Sequence, residues 1–178
     1  MAVPITFKLA GRGSGFLQDL GFVSGPRGNA SAWAFAILLA VAYIIFTMGG
    51  IPLVAQHWRA LSWLKGLSVL AAIAAGIVEE AFFRRLIMDA LEKAGARVWM
   101  QIAASGLAFG AAHGMWGLLG GSAHVAVGAA LTTTVLGLGL AAIYVLGARS
   151  LAPCIMAHFL IDLVIEPGLL LAAVNGKM

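Results

Sequence analysis

The sequence predicts an all-α fold, a polytopic membrane helix bundle with about five transmembrane helices. Two observations support this prediction. Of the 178 residues, 62% are hydrophobic and only 10% are charged, whereas a soluble domain contains about 25% charged residues. Five apolar runs also approach the roughly 20 residues that a helix needs to cross the hydrocarbon core. A membrane β-barrel would instead require short segments of alternating apolar and polar residues.

The first 30 residues precede these runs and are rich in glycine and mildly basic. Leu17, Leu20 and Phe22 are scattered among polar residues, which predicts an interfacial segment with one short surface helix. The segment lacks the charged, apolar and cleavage regions of a signal peptide, so we expect it to be retained. We therefore expect two parts, an interfacial segment at 1–30 and a transmembrane domain at 31–178.

The five apolar runs define the expected helices. In chain order they cover residues 33–55, 67–88, 98–116, 125–146 and 151–174. All five tryptophans lie at or near the ends of runs, as interfacial aromatic residues do; they are Trp33, Trp58, Trp63, Trp99 and Trp116. Gly106, Gly110 and Gly114 repeat every four residues in the third run, which predicts a face that a neighbouring helix approaches closely.

The distribution of basic residues predicts a cytoplasmic N-terminus, because Lys and Arg collect on cytoplasmic loops. With this orientation the cytoplasmic side contains Lys8, Arg12, Arg27, Arg84, Arg85, Lys93, Arg97 and Arg149, and the outer side contains Arg59, Lys65 and Lys177. This distribution explains the net charge of +4. Nucleic-acid binding is not predicted, because the sequence contains no continuous run of basic residues. The single cysteine, Cys154, excludes an internal disulfide.

Ionisable residues within the apolar runs are the candidates for function, because each costs about 2.5–3.5 kcal/mol in a membrane helix. Glu80 and Arg84 in the second run are four residues apart and can pair, while Glu79 lies about 100° round the helix and points elsewhere. The third run contributes His113, and the fifth contributes His158 and Asp162 on one face. We expect a buried cluster of Glu79, His113, His158 and Asp162, backed by Glu80 and Arg84.

Two chemistries fit such a cluster, and the residues alone leave both open. A carboxylate in a low-dielectric pocket can act as a general base on water, helped by a neutral imidazole. The second imidazole and its neighbouring acid can stabilise the oxyanion that forms at a peptide carbonyl. Alternatively, Glu79, His113 and His158 can bind a hydrolytic zinc ion with an open position for water.

Three other interpretations of the cluster use no activated water. The polar residues could serve only to associate helices, or they could line an ion or proton pathway. Cys154, His158 and Asp162, spaced by four residues, could form a thiol, base and orienting acid along one helix. His124 and His57 are expected to lie at an interface and in a solvated loop.

The same residues resemble the motifs of the CPBP family of intramembrane proteases, which includes the CAAX prenyl endopeptidases and the Abi-type proteins. The three motifs of that family have the sequences EEAFFR at 79–84, FGAAH at 109–113 and HFLID at 158–162. The resemblance covers about residues 67–165. It implies that Glu79 and His113 activate water, that His158 and Asp162 stabilise the oxyanion, and that Glu80 and Arg84 brace the site. Asp162 occupies a position where the motif allows Asn or Asp, and a carboxylate must be protonated to donate to an oxyanion.

The predicted function is therefore that of an intramembrane endopeptidase acting on a membrane-associated peptide or protein. No cofactor is favoured, and zinc is the alternative. We expect the protein in a bacterial inner membrane, with the lipid bilayer as its partner and no prediction of its oligomeric state. The alternatives are a non-catalytic immunity or scaffold protein of the same fold, and an ion or proton pathway.

Overall fold

A computed structural model describes residues 28–50, 63–119 and 122–174, and these residues form five helices. Helix α1 is Ala30–Gly50. Helix α2 begins as Trp63–Glu80, continues as a π-helix at Ala81–Met88 and ends with the α-helical turn Asp89–Lys93. The remaining helices are α3, Val98–Leu119, α4, Ala123–Leu146, and α5, Leu151–Val174. The predicted all-α membrane bundle is confirmed.

Among the described residues, four segments are long and apolar enough to cross a membrane. They are Ala30–Gly50, Lys65–Lys93, Ala123–Leu146 and Leu151–Gly168. Helix α3 has 22 residues but is not among them; it contains Gln101, His113 and four glycines. Four of the five expected spans thus meet these criteria, and the crossing expected for the third run, α3, stays a prediction.

The helix boundaries agree with the apolar runs except where capping or backbone geometry moves them. Helix α4 begins two residues early because the Ser122 side chain accepts a hydrogen bond from the amide of Val125. Helix α1 begins at Ala30 because the Asn29 side chain accepts a hydrogen bond from the amide of Ala32. The second run is longer than predicted and includes a π-helix that its periodicity did not predict. Residues 1–27 of the interfacial segment expected at 1–30, and the end of the first run, at 51–55, lie outside the described residues.

The predicted glycine face of α3 packs closely on α4. A Cβ atom added at Gly106 would lie 2.9 Å from the backbone nitrogen of Leu138, and one at Gly110 would lie 2.6 Å from the carbonyl oxygen of Ala130. On α4, a Cβ at Gly137 would lie 3.1 Å from the Cα of Gly106. Because real Cβ atoms are essentially never found below 3.0 Å, the close approach of these helices requires glycine at Gly106 and Gly110, while a Cβ at Gly137 would be tightly packed.

Arg149 fixes the end of the bundle where α4 turns into α5. Its guanidinium group donates to the Asp89 carboxylate at 2.8 Å and to the Gln101 side chain at 2.6 Å, and it lies 3.0 Å from Glu92. Both Ala148 and Arg149 have positive φ, at 53° and 61°. The contacts of Arg149 thus hold a strained turn against the end of α2 and the start of α3.

The helices pack in two main groups, and the middle of the molecule lies between these groups. Helix α5 packs against the Trp63–Glu80 part of α2 and against α1, while α3 packs along α4. Helix α3 contacts α2 mainly through the π-helix, where the rings of Phe83 and Phe109 meet at 5.1 Å. The candidate site lies where the α-helical part of α2 ends, facing both α3 and α5.

Candidate active site

Glu80 is the last residue of the α-helical part of α2 and binds two partners through one oxygen. Its Oε1 accepts from Arg84 Nη1 at 3.0 Å and from His158 Nδ1 at 2.7 Å. The side chains of Glu80 and Arg84 are both 0% exposed. The pairing of Glu80 with Arg84 expected from their spacing is therefore present, and it extends to α5 through His158.

Arg84 connects this pair to α4 and to the aromatic rings of the core. Its Nη2 donates to the carbonyl oxygen of Gly137 at 3.1 Å. Its guanidinium carbon lies 4.9 Å from the centre of the Phe109 ring and 5.9 Å from that of Phe83. A buried guanidinium is stabilised by such contacts because they replace the hydration it has lost. Arg84 therefore has a structural position behind the site.

Glu79 faces the two histidines that the sequence placed on other helices. Its Oε2 lies 3.9 Å from His113 Nε2 and 3.9 Å from His158 Nε2. Among the described residues this oxygen is buried and has no hydrogen-bond partner. One carboxylate oxygen and two imidazole nitrogens therefore surround a point where a water molecule can bind, since buried polar atoms are normally hydrogen-bonded.

The backbone of α3 fixes which nitrogen of His113 is protonated. His113 Nδ1 lies 2.9 Å from the carbonyl oxygen of Phe109, and a carbonyl only accepts hydrogen bonds. Nδ1 therefore donates, and the Nε2 of the neutral ring presents its lone pair towards Glu79. This is the form in which an imidazole can accept a hydrogen bond from water.

His158 is held between carboxylates on two helices. Glu80 lies at its Nδ1, and Asp162 Oδ2 lies 3.3 Å from its Nε2. The side chain of His158 is 2% exposed and that of Asp162 is 16% exposed. The Nε2 atom faces Glu79 as well, so both ring nitrogens of His158 lie beside carboxylates.

The structure corrects two details of the predicted cluster. Glu79 and Glu80 were expected to point in different directions, but both face His158. The two nitrogens lie on opposite sides of the imidazole ring, so Glu80 contacts Nδ1 while Glu79 faces Nε2. Glu79 and His113 were expected to be buried, but their side chains are 31% and 29% exposed. The six predicted residues are brought together, and the roles assigned to them stay predictions.

The distances at this point can be compared with those of a zinc site. Zinc binds oxygen and nitrogen at about 2.0–2.2 Å in a tetrahedron, which separates its ligand atoms by about 3.4 Å. In the described parts of the chain, no group of three His, Cys, Asp or Glu side chains is arranged to hold a metal ion. Zinc at Glu79, His113 and His158 stays a prediction, and it would require these side chains to move closer together. A single water can hydrogen-bond to atoms 3.9 Å apart without such movement.

The proposed thiol, base and acid on α5 do not form a working set. Cys154 is buried, and its Sγ lies 3.4 Å from the carbonyl oxygen of Leu140 and 3.8 Å from that of Ser150. The thiol hydrogen is thus directed at backbone carbonyls. The geometry favours the interpretation of Cys154 as a small core residue.

One acidic residue near the site was missed. Glu166 lies on α5 one turn beyond Asp162 and two turns beyond His158, and it is close enough to interact electrostatically with Glu79 and Asp162. Its spacing of four residues from Asp162 could have identified it in the sequence. It lies outside the three motifs, which is why the resemblance did not include it.

Comparison with known protein families identifies a match over the central part of the chain. A family model described as type II CAAX prenyl endopeptidase Rce1-like matches residues 61–164. No curated protein and no solved structure matches the chain significantly. The matched range contains all six predicted site residues and ends before Glu166. It agrees with the resemblance found at the three motifs.

Proposed function

The chain belongs to the Rce1-like family of type II CAAX prenyl endopeptidases, and from this we propose that it is an intramembrane endopeptidase whose nucleophile is a water activated by Glu79. The four apolar spans among the described residues, together with this family, support an integral membrane protein. The proposal includes a membrane-associated peptide or protein as substrate, a bacterial inner membrane as location and a cytoplasmic N-terminus.

The observation on which the mechanism rests is the unpartnered oxygen of Glu79, 3.9 Å from both Nε2 atoms. A water at this point would donate one hydrogen to Glu79 and the other to the lone pair of His113 Nε2. Both donations orient the oxygen lone pair towards a peptide carbonyl. Such positioning, together with general-base catalysis, accelerates hydrolysis because the nucleophile is aligned and gains charge as it reacts.

The reaction then proceeds in two steps. Glu79 takes a proton as the water oxygen bonds to the carbonyl carbon, and the carbonyl oxygen becomes an oxyanion. When the intermediate collapses, the carbon–nitrogen bond breaks and the protonated Glu79 gives its proton to the departing amine. Glu79 is thus base in the first step and acid in the second, and it returns to its starting form.

His158 would stabilise the oxyanion when its Nε2 is protonated. Its Nδ1 is already held by Glu80, which in turn is held by Arg84. Glu80 and Arg84 are thus positioning residues, because they act through the imidazole ring. A donor fixed before the reaction is worth about 2.7–4 kcal/mol of transition-state stabilisation.

The test is cleavage in proteoliposomes by the purified protein. The probe is a set of peptides, each with one membrane anchor and a randomised adjoining segment, and the products are identified by mass spectrometry. We expect Glu79→Gln to lower the rate by about 10²–10⁴-fold, while a strong chelator leaves the wild-type rate unchanged. Glu92→Gln is the matched control, since Glu92 is 53% exposed and pairs with Arg149 at the end of the bundle.

The outcomes separate the remaining alternatives. Loss of activity with the chelator would replace the glutamate mechanism with a metal-dependent one. Cleavage that does not depend on Glu79 would contradict its assignment as the general base. No cleavage of any peptide would favour a scaffold protein of the same fold.

A further inference from the structure

Phe109 lies at the centre of the contacts behind the candidate site. Its side chain is 0% exposed. The centre of its ring lies 4.4 Å from that of His113 and 5.5 Å from that of His158. The guanidinium carbon of Arg84 lies 4.9 Å from the same ring centre. One buried ring therefore contacts both imidazoles of the site and the cation behind them.

Phe109 holds His113 in two ways. The two rings are tilted by 33° and lie almost face to face, an arrangement close to the offset stacking that aromatic pairs favour. The backbone carbonyl oxygen of Phe109 lies 2.9 Å from His113 Nδ1. The ring thus fixes the plane of the imidazole, and the carbonyl fixes which nitrogen points towards Glu79.

Phe109 also limits the orientation of His158, which belongs to another helix. The planes of the two rings meet at 68°, the edge-to-face arrangement that aromatic pairs also favour. Glu80 holds the His158 ring at one atom, Nδ1, at 2.7 Å. A ring held at one atom can still swing about that hydrogen bond, and contact with the Phe109 ring restricts this motion.

The position of Phe109 is itself fixed from other sides. The ring of Phe83 meets it at 5.1 Å and 72°, and the guanidinium of Arg84 lies within the range of about 6 Å over which a cation is attracted to a ring. On α4, a Cβ added at Gly137 would lie 3.0 Å from the Cβ of Phe109. Phe109 therefore cannot shift without moving its neighbours, as a fixed support requires.

Glu79 Oε2 lies 3.9 Å from the Nε2 atom of each histidine, so one water reaches all three atoms only while both rings keep their orientation. We propose that Phe109 is a positioning residue that sets the orientation of both imidazole rings towards this water. The inference rests on the proposed endopeptidase function. A misplacement of about 1 Å in such an arrangement can lower the rate about 10²-fold.

The kinetic experiment compares Phe109→Leu with wild type in proteoliposomes, using a peptide that wild type cleaves. We expect kcat to fall by about 10²-fold and KM to stay unchanged, because the buried Phe109 side chain does not contact the substrate. Ile143→Ala is the matched control, since Ile143 is also 0% exposed and lies in the last turn of α4. It should lower Tm but preserve kcat. Phe109→Met, whose flexible side chain fills irregular gaps, replaces Phe109→Leu if that variant does not fold.

Nitrogen NMR of the labelled histidines tests the same inference without substrate. At mildly alkaline pH we expect His113 of wild type to carry its proton on Nδ1 alone, and His113→Gln identifies its signal among the four histidines. In Phe109→Leu the freed ring should show a mixture of both tautomers. Ile143→Ala should give the wild-type spectrum.

Three results would overturn the inference. They are a wild-type kcat in Phe109→Leu, a rise in KM in place of the fall in kcat, and a His113 spectrum that is the same in Phe109→Leu and wild type. The spectra also distinguish a failure of the inference from a failure of the function. A change at His113 in Phe109→Leu, without cleavage of any peptide by wild type, would support the positioning role and contradict hydrolysis.

Discussion

At the residue scale, Glu79 and Glu80 are adjacent in the chain but differ in environment. Glu80 is fully buried and shares its Oε1 between Arg84 and His158. Glu79 is partly exposed and has one oxygen without a partner. The Oε2 atom of Glu80 also lacks a partner, but the carboxylate of Glu80 is already shared by two nitrogens and is closed off from solvent, so we expect Glu79 to be the residue that takes a proton from water. Removing one member of a buried ion pair costs about 3–5 kcal/mol, so loss of Glu80 or Arg84 should lower stability as well as activity.

Asp162 provides a test of how the oxyanion is stabilised. An ionised carboxylate cannot donate a hydrogen bond, whereas an amide can donate without titrating. We therefore expect Asp162→Asn to retain at least the wild-type kcat, and Asp162→Ala to lose about 10²–10³-fold. The measurement is kcat for the peptide that wild type cleaves, at several pH values.

The opposite pattern would assign Asp162 a different role. If Asp162→Asn is as inactive as Asp162→Ala, the negative charge beside His158 Nε2, at 3.3 Å, is what the reaction requires. Asp162 would then orient and stabilise the charged imidazole, and would not donate to the oxyanion.

At the element scale, the π-helix of α2 adjoins the site and supplies side chains that hold the site residues in place. It begins at Ala81, directly after Glu80, and includes Phe83 and Arg84. The Ser105 hydroxyl on α3 donates to the carbonyl oxygen of Phe83 at 3.1 Å, which satisfies a backbone group within the π-helix. Such segments are frequent at functional sites, and here the segment joins α2 to α3 behind the candidate site.

The glycine face between α3 and α4 predicts a contrast between two substitutions. Gly110→Ala places a Cβ 2.6 Å from the carbonyl oxygen of Ala130, so we expect a loss of about 1–3 kcal/mol through overpacking. Gly128→Ala, on α4, meets nothing within 4 Å and should be neutral or gain up to about 1 kcal/mol from helix propensity. Thermal unfolding of both variants in detergent measures the difference.

This contrast has a functional consequence, because α3 positions His113. We expect Gly110→Ala to lower cleavage as well as Tm, while Gly128→Ala leaves cleavage unchanged. Equal Tm values for the two variants would contradict the close approach of α3 and α4.

At the scale of the whole molecule, two polar clusters lie at different depths. The candidate site lies within the bundle. The second cluster connects the helices at one end of the bundle and consists of Asp89, Glu92, Gln101 and Arg149. Arg84 belongs to the first group and is fully buried, so it does not count towards orientation. Seven of the eight cations assigned to the cytoplasmic side then remain, against three outside, and the predicted orientation is unchanged.

Labelling of introduced cysteines tests this orientation. Lys93 is the last residue of α2 and Ala123 is the first residue of α4, and both are exposed. With Cys154→Ser as background, we expect a membrane-impermeant maleimide to label Ala123→Cys in intact cells, and to label Lys93→Cys only after the membrane is opened. The reverse pattern would place the N-terminus outside.

The sequence by itself determined the all-α fold, the positions of the helices, the glycine face and the pairing of Glu80 with Arg84. These features depend on local periodicity and on residues one helical turn apart, which the chain fixes directly. Only the tertiary structure decided that both glutamates face His158 and that His113 Nε2 is turned towards Glu79. It also decided that Arg84 binds the Gly137 carbonyl and that Glu166 lies near the site. These relations depend on how closely and at which angles helices distant in sequence pack, and no local pattern sets those distances.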